Sequence, residues 1–459
     1  MKIAIWGTGI LYQRYKHYLE ECDVCFLIDS DAGKQGHTFE NRMVYAPEQV
    51  DYAQCDYIVI LVKKYEEIEK KIFGLGVEER KIIHYFELGK IVSIEPVVKC
   101  SGTSVKLRSW MERNKQTKIM LVSHNFSRTG VPIALMNLTI LLKKMGYAVL
   151  YTSVGTGSLT EELEKNDIDY VSDMMMFWEE QQFEDDLKNF DLFILGTVAL
   201  AEYISFFSQL KKPVMWWIHE TFENMFHNNA CMAKKENVHI FAGGKRVQTA
   251  IKKYWGMDSK ELLYYLPQKA VMEKKKSSAR YTFAVMGTYE NRKGQDILAK
   301  AVQDFMGDYR DKIEVVFVGG AYNAEQRAFL EELKKNYPQF TYMAEMSADE
   351  LERFFAQIDV LVCPSREDPM PIVVTQAMQK GIPCIISKNV GQAEYIQHGI
   401  NGFVFESEDS EALAYCIEEI IKNPLKLIEV GKEGKRTFND RFAEKCMKNA
   451  LEENFKQLL

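Results

Sequence analysis

Short apolar segments suited to β-strands alternate with longer segments of helical periodicity along almost the whole chain. This alternation is typical of parallel sheets whose strands are joined by crossover helices. It occurs in three blocks, 1–97, 118–268 and 281–439, and a chain of 459 residues is too long for one ordinary core. The pattern therefore predicts an α/β protein built from three Rossmann-like domains.

Segments of different composition separate the blocks. We expect the charged stretch 98–117 to be a linker or connecting helix, and the polar, basic stretch 269–280 to be an interdomain hinge. Residues 440–459 carry apolar side chains at helical spacing and predict a final helix. The predicted strands are 2–6, 24–28, 57–61 and 81–84; 119–123, 148–153, 192–195, 214–218 and 239–242; and 283–286, 314–318, 360–363, 384–387 and 402–405.

Charge, hydropathy and cysteine usage exclude several classes of protein. A formal net charge of −7 argues against nucleic-acid binding, which needs a basic surface. No apolar run reaches the roughly 20 residues of a membrane helix, and the first residues suit a strand and not a signal peptide. Nine scattered cysteines fit reduced thiols better than a disulfide framework. We therefore expect a cytoplasmic protein.

The segment 362–405 is the richest in chemical information. An apolar strand runs into an acidic, proline-bearing turn, and the turn opens directly into a helix. The start of a helix presents free backbone N–H groups and the positive end of a dipole, which suits a phosphate group. Pro369 and Pro371 have no N–H to offer. The donors expected at the mouth of the helix belong to Met370, Ile372 and Val373.

Acidic and amide side chains surround that helix start. We expect Asp368 or Glu367 to cap the helix, with Pro371 at its first position. Gln376 lies one turn beyond Ile372 on the same face. Helix capping and a solvent-exposed glutamine are the structural alternative to a binding role for these side chains.

Positive charge follows the strand 283–286. Arg292 and Lys293 precede Gly294 and a helix, so they could reach a diphosphate held at the mouth of the helix after Pro371. Fixed cations at this place would stabilise the negative charge of a bound phosphate group. A solvated surface loop is the alternative interpretation of this basic pair.

The second block offers two further candidates at strand ends. Gly130 lies in a loop between a strand and an amphipathic helix, where a glycine permits close approach of a phosphate or sugar. His219, followed by Glu220, ends the strand 214–218. A simple loop glycine and a structural histidine are the respective alternatives.

The second and third blocks together resemble the retaining, family 4-type glycosyltransferases of the GT-B fold. In that family an acidic residue, seven spacers and a glutamate precede an Ala-Met helix and a Gly-x-Pro strand, and a Lys-Gly pair follows an earlier strand. Lys293 and Gly294 match that pair, and Gln376 stands where the family has its second acid. The other matching residues are Asp368, Ala377, Met378, Gly381, Pro383, Glu394, Tyr395, Asn401 and Gly402.

The resemblance implies a GT-B architecture, two Rossmann-like domains facing a cleft, preceded here by a third such domain. It implies metal-independent transfer of a sugar, with retention, from a nucleotide-sugar donor to a glycan or lipid-linked acceptor of bacterial-type surface polysaccharide synthesis. No cofactor is required, because the nucleotide sugar is a substrate. The hinge would allow closure on the donor, and the final helix would cross back onto the preceding domain.

The resemblance also assigns roles to residues. Lys293 would neutralise the leaving diphosphate, and Arg292 would substitute for an arginine that the family often has just after the preceding strand, where this chain has Thr288. Asp368 or Glu367 would contact sugar hydroxyls. Gln376 would contact the ribose. The further donor contacts implied are Gly130, Met370, Ile372, Val373 and Glu394, and His219 would contact the transferred sugar or orient the acceptor.

Two other functions remain open from the sequence. A catalytically silent GT-B subunit that binds a glycan or a partner protein is suggested by the amide at Gln376. An NAD(P)-dependent sugar-nucleotide oxidoreductase is suggested by Gly7, Gly9 and Asp29, most of a dinucleotide-binding fingerprint. The third glycine position is Tyr12, however, so a domain that positions the enzyme or binds a protein partner is the preferred interpretation of the first block.

Two apolar stretches, 174–178 and 201–212, are candidates for an acceptor-binding or membrane-interface surface in the second block. Core packing is the alternative. A surface of this kind would place a cytoplasmic enzyme peripherally at the inner face of a membrane.

Overall fold

A computed structural model describes residues 1–92, 94–100, 102–171, 180–226, 233–268, 280–320 and 323–459. The predicted hinge, apart from its last residue, and the apolar stretch 174–178 lie outside the described residues. The chain divides into two compact units. The first unit comprises Met1–Lys115, Thr152–Gly155 and Asp169–Asn189, and the second unit comprises Gln116–Tyr151, Thr156–Ile168 and Phe190–Leu459.

A six-stranded sheet forms the centre of the first unit. Its central strand is buried from Ile3 to Trp6 because it has a parallel neighbour on each side and is covered on both faces. The strands lie in the order Thr38–Phe39, Arg42–Tyr45, Asp23–Ile28, Lys2–Trp6, Tyr57–Ile60 and Ile82–His84, and all pairs but the first are parallel. The α-helices around it are Ile10–Tyr15 and Glu66–Gly74.

The segment 98–117, expected to be a linker or a connecting helix, contains strands and a helix, and most of it belongs to the first unit. An antiparallel hairpin, Val97–Cys100 with Thr103–Lys106, is followed by the helix Leu107–Arg113. Trp110 is buried and donates a hydrogen bond from Nε1 to Asp169 Oδ2 at 2.8 Å. The charged composition of this segment gave no indication that the Trp110 side chain is part of a core. The other elements of the unit are the strand Tyr170–Val171 and the helix Glu180–Leu187.

The second unit contains two sheets, which we call the first and the second lobe. In the first lobe every strand is parallel to its neighbours, and Val214–Ile218 is buried throughout. The order is Lys260–Glu261, Val238–Ala242, Val214–Ile218, Leu192–Gly196, Lys118–Ser123 and the first part of Ala148–Ser153. Its helices are Gly130–Lys144, Thr160–Lys165, Ala201–Gln209, Glu223–Phe226 and Lys245–Trp255.

The second lobe repeats this arrangement. Its parallel strands lie in the order Phe340–Met343, Ile313–Val318, Tyr281–Met286, Val360–Cys363, Cys384–Ser387 and Phe403–Phe405. The edge strand Phe340–Met343 was not predicted, although Phe, Thr and Tyr all favour strands. The helices are Gln295–Lys300, Ala324–Asn336, Ala348–Phe355, Ile372–Lys380, Ser410–Lys422 and Pro424–Arg441. The predicted α/β class with parallel sheets is confirmed.

The last helix, Glu444–Leu458, lies against the first lobe after leaving the second. The ring of Phe455 contacts that of Tyr147, with centroids 5.6 Å apart. Lys260 donates a hydrogen bond of 2.9 Å to Asn454 Oδ1. The chain therefore ties the two lobes together at its end. Over the described part of the chain, no helix has the length and apolar character needed to cross a membrane.

Candidate functional site

The carboxyl ends of the strands of both lobes border a cleft. In open α/β sheets this is the edge at which ligands bind, because the loops that follow the strands are free to carry polar groups. Thr221, three residues beyond the end of a first-lobe strand, donates a hydrogen bond of 2.6 Å to Glu367 Oε1 of the second lobe. The acidic turn identified from the sequence therefore lies at the junction of the lobes.

A basic and acidic cluster occupies the second-lobe side of the cleft. Lys293 Nζ lies 2.6 Å from Asp368 Oδ2, and the two side chains are 19% and 9% exposed. Arg292 Nη1 is 3.6 Å from the same oxygen and donates to the carbonyl of Glu367 at 3.1 Å. Its Nη2 pairs with Glu290 at 2.7 Å. Four residues singled out from the sequence are thus brought together.

The turn that carries this basic pair is fixed by tertiary contacts. The short helix Asn291–Lys293 ends at Gly294 in a left-handed conformation, and a Cβ there would lie 2.1 Å from the carbonyl oxygen of Pro364. Arg366 makes two hydrogen bonds to the carboxylate of Asp296, at 2.9 and 2.7 Å. These bonds raise the pKa of Arg366. Sequence reasoning missed this brace, which holds the basic turn against the acidic one.

The helix Ile372–Lys380 starts without a capping side chain, so the prediction that Asp368 or Glu367 caps it is wrong. Both carboxylates are engaged in the contacts described above and are not available to the helix. Pro371 is the N-cap residue, in an extended conformation, and not the first helical residue as predicted. The N-cap residue therefore offers no side-chain acceptor to the first N–H groups of the helix.

The other predicted residues of this helix start are positioned as follows. The backbone of Ile372 and Val373 forms the first turn, and Gln376 is half-buried one turn further on. The Met370 methyl group packs over two glycines, Gly244 of the first lobe and Gly391 of the second. Met370 therefore fills the space between the lobes beside the acidic turn.

Gly391 holds the acidic turn in place. Its N–H donates to the carbonyl of Asp368 at 2.9 Å, and the N–H of Asp368 donates to Asn389 at 3.2 Å. A Cβ at Gly391 would lie 1.6 Å from the carbonyl oxygen of Pro369, a distance that no real contact tolerates. A glycine is required here because two backbone segments touch.

Glu394 lies outside this cluster. It is exposed and lines a separate concavity of about 620 Å³ with Lys388, His398 and Tyr415. Gln392, which the sequence analysis passed over, is fully buried instead. Its Nε2 donates to the carbonyl of Pro371 at 2.8 Å and so supports the start of the helix.

Two histidines occupy the first-lobe wall. Burial, together with the neighbouring His124, lowers the pKa of His219 to about 3. Burial also lowers the pKa of His124, against an opposing influence of the Glu220 carboxylate. Among the described residues, His219 Nε2 and His124 Nδ1 are buried without a hydrogen-bond partner. His124 was missed from the sequence, although its place directly after the strand Lys118–Ser123 was a usable signal.

The Glu220 carboxylate binds backbone N–H groups of the first lobe. Its carboxylate accepts hydrogen bonds from Val198 N and His219 N, both at 3.1 Å, and from the hydroxyl of Thr197. Thr197 has a φ of +101°, which is unusual for a β-branched residue. The carboxylate therefore holds a strained turn beside the cleft and is not free for chemistry.

Gly130 begins the helix Gly130–Lys144, whose N-cap residue Thr129 makes no side-chain capping bond. Gly130 is exposed, and an added Cβ would meet nothing within 4 Å. Its φ is not positive. Neither packing nor backbone conformation explains a glycine at this position.

The predicted nucleotide-binding residues of the first unit are engaged with one another. Asp29 Oδ2 accepts hydrogen bonds from the backbone and hydroxyl of Thr8, at 3.0 and 2.6 Å, and from Lys34 at 3.0 Å. A Cβ on Gly7 would lie 2.8 Å from the carbonyl oxygen of Leu61. Gly9 directly precedes the six-residue helix Ile10–Tyr15. The Gly7 and Asp29 positions thus have a structural explanation within the protein.

Three families match successive parts of the chain. The family described as "Glycosyl-transferase family 4" matches residues 115–285. The family described as "Glycosyl transferases group 1" matches residues 268–437. A third, described as "C2185-like, N-terminal", matches residues 1–83.

Curated relatives cover part of the chain. "Uncharacterized glycosyltransferase MJ1178" of Methanocaldococcus jannaschii is 28% identical over 169 residues, 36% of this chain and 46% of the relative. "Spore coat protein SA" of Bacillus subtilis is 25% identical over 167 residues, 34% of this chain and 44% of the relative. The chain thus spans less than half the length of these curated relatives.

Solved structures resemble a larger part of the chain than the curated relatives do. Anabaena Alr3699/HepE, crystallised in complex with UDP-glucose, superposes with a TM-score of 0.64 at 17% identity, covering 74% of this chain and 100% of that one. At this identity the likeness establishes a shared fold and not a shared substrate.

Proposed function

We propose that this chain, which matches "Glycosyl-transferase family 4" over residues 115–285 and "Glycosyl transferases group 1" over residues 268–437, transfers a sugar from a nucleotide-sugar donor to a glycan or lipid-linked acceptor. The observation that carries this proposal is the cluster of Arg292, Lys293 and Asp368 beside the uncapped start of the helix Ile372–Lys380. Positive charge and free N–H groups converge there at the junction of the lobes.

The cluster suits a departing diphosphate. The donor phosphates would accept hydrogen bonds from the N–H groups of Ile372 and Val373 and from the Lys293 ammonium group. Asp368 keeps that ammonium group in the cleft while no donor is bound, since the two atoms are 2.6 Å apart. Negative charge that develops on the leaving phosphate is then neutralised by fixed cations, so the proposed transfer requires no metal ion.

The histidine wall favours transfer with retention. A general base works best when its pKa lies near the working pH. Burial and the neighbouring His124 lower the pKa of His219 to about 3, so its imidazole is a poor acceptor for the proton of the incoming hydroxyl. In the proposed front-face reaction an oxygen of the leaving phosphate takes that proton while the new glycosidic bond forms on the face the phosphate leaves. His219 would then contact the transferred sugar or orient the acceptor, without taking a proton.

The classes of donor and acceptor are proposed by analogy with similar proteins. HepE was crystallised with UDP and with UDP-glucose, which makes UDP-sugars the first donors to test. Gln376 would contact the donor ribose as an amide, which both donates and accepts hydrogen bonds. The acceptor is proposed to be a growing surface glycan or lipid-linked oligosaccharide on the cytoplasmic side of a membrane. The first unit is proposed to position the enzyme or to bind a protein partner.

Release of nucleoside diphosphate tests the proposal. The protein is incubated with UDP-glucose, UDP-galactose, UDP-N-acetylglucosamine and GDP-mannose, and both binding and release are measured. At least one donor should bind. Its hydrolysis by water should be slow, and its consumption should be faster when glycans are added. Lys300→Ala, an exposed lysine of the same lobe paired with Asp304, is the matched control for Lys293→Ala.

A silent subunit is the second candidate, favoured by the amide at Gln376 and by the Thr221–Glu367 hydrogen bond across the cleft. Exchange of a charge-assisted bond for a neutral one costs about 1.4 kcal/mol, which is tenfold in affinity. This weakens donor binding without preventing it, so catalysis is the preferred function. A folded protein that binds glycans but neither binds nor cleaves any donor in the panel would favour the silent subunit.

A further inference from the structure

We propose that His124 is a sugar-binding residue that acts beside His219, and that the two select donors whose sugar bears hydroxyl groups rather than a carboxylate. This inference rests on the proposed function and extends it to the class of sugar that is transferred.

The sheet topology brings the two side chains to the same place. His124 follows the strand Lys118–Ser123 and His219 follows Val214–Ile218, and one strand, Leu192–Gly196, lies between them. With neighbouring strands about 4.8 Å apart, the two backbones are separated by roughly 10 Å. Parallel strands bring both loops to the same edge of the sheet, where two imidazole side chains of this length can converge.

The surroundings of His219 are closely packed. The strand between the two histidines ends at Gly196, where a Cβ would lie 2.7 Å from Leu135 Cδ1, so the glycine lets Leu135 pack against the end of that strand. The ring of His219 is held on one side by Trp217, with centroids 4.3 Å apart, and on the other by Gly243. The orientation of His219 is therefore fixed by packing before any ligand arrives.

Each ring has a nitrogen atom without a partner. His124 Nδ1 and His219 Nε2 are both buried, and within the described ranges neither makes a hydrogen bond. A buried polar atom without a partner is costly and uncommon in native proteins, so its persistence at a cleft calls for a ligand. A sugar hydroxyl both donates and accepts and can pair with either tautomer of a neutral imidazole.

The charges around the pair favour an uncharged sugar. Both histidines are uncharged near neutral pH, because burial lowers the pKa of each. The Glu220 carboxylate acts electrostatically on His124 and is anchored to the backbone of Val198 and His219. A uronic acid would bring a second negative charge toward this carboxylate and would find no cationic partner in the two neutral imidazoles. A hexose with neutral hydroxyls meets neither penalty.

Calorimetric titration separates the sugar from the nucleotide. The unchanged protein is titrated with UDP, UDP-glucose and UDP-glucuronate, and in parallel with GDP and GDP-mannose, to establish which donor binds. His124→Ala is then expected to weaken binding of the nucleotide sugar about tenfold, the size of one neutral hydrogen bond, with the affinity for the bare nucleoside diphosphate unchanged. His124→Asn, which keeps a polar atom near the position of Nδ1, should recover part of the loss.

His239→Ala is the matched control, because His239 is an exposed side chain on the strand Val238–Ala242 of the same lobe. Equal loss for nucleotide and nucleotide sugar, or no loss at all, overturns the role of His124. UDP-glucuronate that binds as tightly as UDP-glucose overturns the selection of neutral sugars. If the unchanged protein binds none of the five compounds, the proposed function fails and this inference fails with it.

Discussion

Replacing Lys293 with methionine separates the catalytic contribution of this lysine from its structural one. Lys293→Met keeps the length of the side chain and removes the ammonium group that lies 2.6 Å from Asp368 Oδ2. In the unliganded protein this leaves a carboxylate whose side chain is 9% exposed. With donor bound, it removes a charge-assisted hydrogen bond to the leaving phosphate.

The stability cost follows from the burial of the pair. Breaking a fully buried ion pair costs about 3–5 kcal/mol, whereas an exposed pair contributes about 0–1 kcal/mol. Here the side chains are 19% and 9% exposed, and Arg292 remains 3.6 Å from the same carboxylate oxygen. An intermediate loss of about 1.5–3 kcal/mol in the free energy of unfolding is therefore expected.

The catalytic cost is similar in size but has a different origin. A hydrogen bond to a charged group contributes about 1.5–3 kcal/mol, which corresponds to a loss of about 10- to 150-fold in kcat/KM. The double variant Lys293→Met with Asp368→Asn removes both charges, so most of the stability should return while transfer remains low. Denaturant unfolding and a nucleoside diphosphate release assay are run on the same preparations.

Lys300→Met controls for the loss of a lysine, since its pair with Asp304 is solvent-exposed and its removal should change unfolding by less than about 0.5 kcal/mol. Recovery of activity in the double variant would show that Lys293 acts only by holding Asp368. Full activity in Lys293→Met alone would remove the lysine from the reaction.

Three further substitutions or conditions test the site. Gly391→Ala places a Cβ 1.6 Å from the Pro369 carbonyl oxygen. It should therefore lower the free energy of unfolding by about 1–3 kcal/mol and weaken donor binding. The control Gly74→Ala should do neither, because the surroundings of Gly74 are open. Gln376→Glu should tighten donor binding up to about tenfold by restoring a charge-assisted bond to the ribose, and unchanged affinity in titration would argue against that contact. Burial lowers the pKa of His219 to about 3, so the ring gains a proton only in strong acid; donor affinity should stay level from about pH 8 to about pH 5.5, and a fall centred near pH 6.5, the ordinary histidine value, would contradict a neutral imidazole.

The part of the site that is local in sequence was predictable. The basic turn at Arg292 and Lys293 and the acidic turn at Glu367 and Asp368 both follow strands, and parallel strands bring such turns to one edge of the sheet. Their mutual contact could therefore be anticipated. The helix cap at Pro371 could not, because tertiary partners outside the turn claimed both carboxylates before the helix could use them.

Residues whose role depends on distant contacts escaped sequence reasoning. His124 resembles any polar residue after a strand until the order of the strands places it one strand away from that of His219. Arg366 is recognisable as a brace only once Asp296 is beside it. The segment with Trp110 looked like a linker because its surface charges outnumber the single indole that anchors it.

The return of the helix Glu444–Leu458 to the first lobe has a mechanical consequence. The polypeptide passes between the lobes twice, once between Gln268 and Arg280 and once near Phe442. The two connections lie beside one another, since Leu266 N donates a hydrogen bond of 3.1 Å to the carbonyl of Phe442. Relative motion of the lobes would therefore pivot at this paired connection, because both strands of polypeptide resist separation of the lobes there.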